Sequence, residues 1–212
     1  MSNYIQKSNK MKKILNIVSS VKGKDSFSIK LSNAILEKLT SVYPDSKVNT
    51  LNLAENPLPH LEEVHIASFF TPQNLQTNQH KEAIKHSDKA IKELMEADII
   101  VIGVPLYNFG IPSTLKAWID HIARAGVTFS YANGFPEGLI LNKKVYLAIA
   151  SGGVYSDGPM KSFDFTEPYL KAVLGFLGMK DVATFRVEGT VVPNLKETAW
   201  TKALESVNKY AF

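Results

Sequence analysis

Three stretches of this chain carry groups that could act on a bound molecule. Tyr107, Asn108 and Phe109 stand in a loop bracketed by Pro105, Gly110 and Pro112. Two readings of them are open: a tight turn that packs on neighbouring loops, or an aromatic and amide platform along the edge of a planar ligand, with backbone N–H groups facing its heteroatoms. Ser19, Ser20, Ser26 and Ser28 crowd a second loop. Hydroxyls beside a helix N-terminus suit an anion such as phosphate, yet Ser26 or Ser28 could equally serve only as a cap. Gly152 and Gly153 open the third loop, Ser151 to Gly158. It is either a plain glycine turn or a place where backbone approaches a ligand closely.

Other chemistries are disfavoured by what accompanies these stretches. The chain has no cysteine, so thiolate nucleophiles, thiolate metal sites and disulfides are excluded. Its five histidines, at 60, 65, 80, 86 and 121, form no ligand spacing and read as surface or turn residues, and no metal site is expected. No Ser/His/Asp or paired-carboxylate constellation is present. Gly23-Lys24 is followed by Asp25, which is not a phosphate-binding Walker loop, and no GxGxxG fingerprint occurs. A net charge of +4 with a pI near 9.0 suits an anionic small molecule, but the lysines are scattered, so nucleic acid is not an expected partner. No apolar run approaches the roughly 20 residues of a membrane helix, and Ile14 to Val18 is too short for a secretory core of about 7 residues or more. We therefore expect a cytoplasmic protein without membrane contact.

The elements that must position these loops follow from periodicity. At 212 residues the chain suits one domain, with residues 1–11 a flexible lead and 12–212 the domain itself. Lys13 to Val18, Lys47 to Leu53, Ile99 to Ile102, Lys144 to Ala150 and Asp181 to Val187 read as five strands. Helices are expected from the stripes Leu31, Ile35, Leu39, Val42 and Ile84, Ile91, Leu94, Met95, the latter over Lys81 to Glu96. Further helices follow from Leu115, Trp118, Ile119, Ile122, from Pro168 to Leu177, and from Leu195, Ala199, Ala203, Leu204, Val207. Pro112 suits the first turn of the Leu115 helix, Gly126 the position past its end, and Asp120 and Arg124 can pair four apart. Asn56 to Gln79 reads as a long irregular passage carrying Phe69 and Phe70, either a lid, partner surface or insertion, or aromatics tucked onto the domain. Val127 to Gly138, with Asn133-Gly134, suggests a small hairpin.

Alternating strands and helices with short joints predict an α/β fold. We expect a doubly wound, five-stranded parallel sheet of order 2-1-3-4-5 with helices on both faces, its ligand outside the strands' carboxyl ends. The Tyr169 to Leu177 helix is apolar nearly all round, and Phe69, Phe70 and the Phe129 to Phe135 hook add further apolar surface. A monomer would tolerate little of this in the open, so a homodimer is expected.

Taken together, Val104-Pro-Leu-Tyr-Asn-Phe-Gly-Ile-Pro-Ser-Thr-Leu-Lys116, Ala123-Arg-Ala-Gly-Val-Thr-Phe-Ser-Tyr131, the Gly134 to Leu139 turn, Gly152-Gly153 with Asp157-Gly-Pro159, and Leu174-Gly-Phe-Leu-Gly178 form a set. It resembles the FMN-dependent NADH:azoreductase and quinone oxidoreductase family, the AcpD-like branch of flavodoxin-like proteins, from about Lys12 to the last helix. The resemblance implies a flavodoxin-like FMN-binding domain, NADH as electron donor, quinone or aromatic azo acceptors, and a dimer with sites at the subunit boundary. It places FMN phosphate at Ser20, Ser26, Phe27 (through its backbone N–H) and Ser28. The flavin-edge segment falls on Leu106, Tyr107, Asn108 and Phe109. The family's Ser-Arg-Gly-Gly segment falls on Ala150, Ser151, Gly152 and Gly153, so its arginine is missing here and the glycine N–H groups would have more to do.

The expected reaction is two-electron hydride transfer, from NADH to the flavin and then to the acceptor in the same stacking place. Asn108 is the candidate for orienting flavin or substrate. Phe129, Tyr131 and Phe176 are candidates for the acceptor pocket, though each could be core packing. The competing class is a flavodoxin-like electron carrier or regulatory flavin-binding module without turnover, which a charge of +4 disfavours, since such carriers dock through acidic surfaces.

Overall fold

The computed structural model of the protein describes residues 11–132 and 134–212. Of the expected flexible lead, 1–10 lie outside the described residues, as does Asn133 of the expected hairpin turn. The chain runs β1 (Lys13–Val18), α1 (Phe27–Val42), β2 (Lys47–Asn52), α2 (Glu63–Phe70), α3 (Asn78–Glu96), β3 (Ile99–Pro105) and α4 (Ser113–Ile122). A two-stranded antiparallel ribbon follows, β4 (Phe129–Ser130) and β5 (Glu137–Gly138), then β6 (Lys144–Ala150), α5 (Glu167–Phe176), β7 (Asp181–Val187) and α6 (Lys196–Lys209).

The main sheet has the order β2-β1-β3-β6-β7 and every pairing is parallel. Leaving the ribbon aside, this is the expected 2-1-3-4-5. The sequence of β3, Ile-Ile-Val-Ile-Gly-Val-Pro, is buried at every position, as a central strand covered on both faces must be. Alternate residues feed two cores. Leu15, Ile17, Ile100, Ile102 and Trp118 meet beneath α3, α4 and α5, while Ile14, Val101, Tyr146 and Phe185 meet beneath α1 and α6. Each large side chain fully buried there contributes roughly 1.5–3 kcal/mol. From β1 the chain crosses to β2 on one side and later to β3 on the other, so the loops after β1 and β3 diverge and leave a crevice between them.

Several expectations are corrected. The irregular passage contains helix α2, begun by a capping box in which His65 stands in place of the usual glutamate. His65 and His121 are buried rather than surface residues: their rings meet edge to face at 5.3 Å, and His121 Nε2 lies 2.9 Å from the Pro59 carbonyl. Asp120 pairs with Lys116 at 2.7 Å, not with Arg124. Because α4 ends at Ile122, Arg124 no longer shares its face; the guanidinium pairs with Asp88 and lies over Phe69, 4.8 Å from the ring centre. Met95 and Val42, expected inward, are 37% and 41% exposed. Helix α5 is less free than its composition suggests, since Leu170 and Leu174 are buried while Tyr169, Val173 and Phe176 pack against the core. The most exposed aromatics are Phe135, Phe70, Phe165 and Tyr131; Phe70 and the two hook residues stand outward as expected, whereas Phe69 is half-buried. Among the described residues no helix is long and apolar enough to cross a membrane.

Candidate functional site

The first wall of the crevice is the loop from β1 to α1. Ser19 leaves the hydroxyl set, because its Oγ donates to the buried Gly103 carbonyl at 2.7 Å and ties the loop to β3. Ser26 occupies the N-cap position of α1 but its side chain makes no cap hydrogen bond. Its Oγ lies instead 3.0 Å from Ser28 Oγ, with both residues buried. The earliest helical bond here runs from the Lys30 N–H to the Ser26 carbonyl, so the N–H groups of the first turn stay uncommitted to the helix, with the positive end of its dipole behind them.

The second wall continues from β3. Tyr107 and Gly110 exchange both backbone hydrogen bonds at 3.0 Å, closing a two-residue turn. The residues at its tip, Asn108 and Phe109, both have positive φ, 48° and 69°. That geometry is the type I′ turn, which asparagine tolerates and phenylalanine does not; the strain at Phe109 is about 1–2 kcal/mol. Phe109 is held from outside by the ring of Phe163 at 5.4 Å and by a hydrogen bond from the Phe165 N–H to its carbonyl at 3.1 Å. The Tyr107 hydroxyl, 3.4 Å from Ser20 Oγ, links this wall to the first.

The third wall is the loop after β6. Ser151 Oγ donates to the Gly153 carbonyl at 2.8 Å, and the Thr190 hydroxyl donates to the Ser151 carbonyl at 3.1 Å. The N–H groups of Val191 and Gly189 bind the carbonyls of Gly152 and Gly153 at 3.2 and 3.0 Å. A Cβ on Gly152 would meet Val191 Cγ2 at 3.1 Å, so glycine lets the loops after β6 and β7 close together.

A cavity of about 240 Å³ lies between the three walls. Of the expected residues, Ser20, Ser26 and Phe27 line it from the first, Leu106 and Tyr107 from the second, and Ala150, Ser151 and Gly152 from the third. Ser28 sits behind Ser26, Asn108 and Phe109 project at the exposed tip of the turn, and Gly153 lies against the Tyr155 ring. Phe129, Tyr131 and Phe176 do gather, with Phe129 4.6 Å from Phe176 and 5.6 Å from Tyr131, but they do not border the cavity. Lining residues that sequence reasoning missed are Lys22, Asp25, Pro105, Thr190 and Val191. Strand order was the one available signal for the last two, because it sets the exits of β6 and β7 side by side.

A larger cavity of about 680 Å³ runs along the edge strand β2 and shares no residue with these loops. Its size does not make it the better site, because it lacks the convergent hydroxyls and first-turn N–H groups found at the crevice. Among the described residues no histidine or carboxylate cluster could hold a metal ion.

The sequence matches the flavodoxin-like fold family over residues 12–211. An FMN-dependent NADH:quinone oxidoreductase of Beijerinckia indica is 45% identical over 93% of this chain and 98% of its own length. Among solved structures, an azoreductase from Bacillus anthracis superposes with a TM-score of 0.87 at 33% identity, covering 94% of this chain and 98% of that one. An FMN-dependent NADH-azoreductase from the same species, in complex with FMN, gives 0.80 at 28% identity over 93% and 98%.

Proposed function

Since the chain belongs to the flavodoxin-like fold family, we propose that it is an FMN-dependent NADH:quinone oxidoreductase that also reduces aromatic azo compounds, acting in the cytoplasm as a homodimer. The observation that carries this reading is the convergence, on one cavity at the divergence of β1 and β3, of an N-terminal helical turn with free donors, the Ser26–Ser28 hydroxyl pair and the aromatic Tyr107 edge. The similarity to enzymes named for this activity supports it.

The residues fit the cofactor by donor chemistry. A phosphate dianion needs several N–H and O–H donors, and the start of α1 with Ser20, Ser26 and Ser28 provides them. Tyr107 and Leu106 offer flat apolar surface beside that anchor, and Gly152 brings backbone within reach. When bound, FMN would supply two-electron hydride chemistry between NADH and the acceptor, read as a ping-pong cycle. The protein's share is orientation and electrostatics. Asn108, at the tip of the turn, can direct its amide at flavin or acceptor. Ser151 stands where relatives of the resembled family carry arginine and turns its hydroxyl onto its own loop, so no side-chain cation from that position faces the cofactor. The Gly152 and Gly153 N–H groups would then be the donors this loop offers to negative charge on the cofactor. Phe129 and Tyr131, at the ribbon, and Phe176, at the end of α5, do not border this chain's own cavity, and in a homodimer they would line the acceptor place of the neighbouring subunit.

An absorbance spectrum of the purified protein tests the cofactor, and NADH oxidation with a quinone tests the activity. Yellow protein that turns over at catalytic concentration is expected. Protein that stays colourless after FMN is added sinks the reading, and tight FMN binding without turnover would assign it to the carriers.

A further inference from the structure

Arg186, on the edge strand β7, joins loops that no strand or helix holds together. Its guanidinium Nε and Nη2 lie 3.1 and 2.5 Å from Glu167 Oε2, Nη2 also bonds Asp164, and Nη1 lies 3.2 Å from Glu188. The arginine side chain is only 12% exposed. Two of these carboxylates grip backbone. Asp164 accepts the N–H groups of Thr166 and Glu167 at 2.9 and 3.2 Å, and Glu188 accepts those of Tyr155 and Ser156 at 2.8 and 3.0 Å. One planar fork thus fixes both the loop after β6 and the segment leading into α5.

Both fixed segments close on the same residue. The Phe165 N–H bonds the Phe109 carbonyl, and the Phe163 and Tyr155 rings lie 5.4 and 6.3 Å from the Phe109 ring. Phe109 is the residue whose positive φ its own side chain opposes. A turn with such a residue persists only where its surroundings over-determine it. A lysine could supply the charge of Arg186 but not the five-donor fork that reaches three carboxylates at once.

We propose that Arg186 is a positioning residue of the flavin site: by clamping 155–156 and 164–167 it presses those segments onto Phe109 and keeps the Tyr107–Gly110 turn in its left-handed form. The assignment rests on the FMN reading for its functional meaning, whereas the clamp itself can be measured without flavin.

The test uses Arg186→Lys and Glu188→Ala, the second of which removes the acceptor of the 155–156 arm alone. In flavin-free protein, amide hydrogen exchange in peptides covering 107–110 and 155–166 is expected to accelerate by about tenfold in Arg186→Lys, with β1, β3 and β6 as protected as in the parent. Glu188→Ala should show the same effect around 107–110 and 155–156. For FMN, fluorescence titration should give a dissociation constant about tenfold higher in Arg186→Lys. In a Phe109→Asn background, where residue 109 accepts positive φ, Arg186→Lys should add less than about threefold. Parental exchange at 107–110 in both variants overturns the clamp, and so does an equal loss of FMN affinity in both backgrounds. If the parent itself binds no FMN, the flavin reading fails while the exchange data still decide whether Arg186 holds the turn.

Discussion

The hydroxyl oxygens of Ser26 and Ser28 lie 3.0 Å apart, and Ser26 does not use its side chain to cap the helix it precedes. In such a pair one O–H is donated to the other oxygen, which leaves a second O–H without an acceptor inside the pair. A bound phosphate would take that proton and the nearby N–H groups together. Ser26→Ala with Ser28→Ala is expected to weaken FMN binding by about 1–3 kcal/mol, with the acceptor preference of the remaining holoenzyme unchanged. Equal affinity by fluorescence titration would leave these serines a structural role only.

Asn108 offers a separation of backbone from side chain. With φ at 48°, glycine accepts its conformation while alanine is strained there. Asn108→Gly should therefore keep the fold and the turn, and lower kcat with quinone by about tenfold if the amide orients the reactants. Full kcat in Asn108→Gly with a loss only in Asn108→Ala would make residue 108 a turn residue.

Glu167 predicts an acid limb of stability. Burial pushes its carboxyl upward, but hydrogen bonds from Lys171, Arg186 and Thr184 outweigh this and hold it at about 2, below the ordinary 4.5. A depressed carboxylate stabilises the fold above its unfolded value and loses that contribution as pH falls from 4.5 toward 2. Urea unfolding should find Glu167→Gln less stable than the parent by about 2 kcal/mol at neutral pH, the gap narrowing below pH 4.5. A gap that is constant with pH contradicts the assignment.

His121 acts on the same curve at milder pH. Burial lowers its proton affinity below the ordinary 6.5, the neighbouring His65 and His86 lower it further, and the Pro59 carbonyl and Asp120 work the other way. Below pH 6.5 the unfolded chain takes a proton that the folded chain resists, so stability falls as pH drops, by at most about 1.4 kcal/mol per pH unit. His121→Gln should flatten the slope between pH 6.5 and 5 in urea titrations. An unchanged slope would move the effect to another group.

The exposed aromatics Phe70, Phe135, Tyr131 and Phe165 motivate the assembly prediction. Sedimentation at micromolar concentration should give a species of twice 23.5 kDa. A monomer of 23.5 kDa with full quinone reductase activity would show the site complete in one chain.

What the sequence disclosed followed from local periodicity. The unbroken apolar runs of β3 and β6 could only be strands buried on both faces, and their order placed three loops at one sheet edge. What it hid depended on partners remote in the chain. Arg124 turns to Asp88 and His121 to Pro59, contacts that no pattern near residue 120 encodes. Helix α2 escaped because it is only eight residues long and its capping box uses a histidine. The left-handed Phe109 could not be read at all, since its own side chain argues against the conformation that its neighbours impose.

The loop after β7 grips the Ser151–Gly153 wall at residue 191 through a backbone N–H, while the Val191 side chain stands 74% exposed on the cavity's rim. Shape and chemistry are thereby uncoupled at this position: the hydrogen bond that seats the rim persists whatever side chain residue 191 carries, proline apart. Residue 191 is thus a natural entry point for directed evolution of acceptor range: the backbone bond holds the loop in place, while the side chain, whose Cγ2 stands over Gly152, sets the shape of the rim.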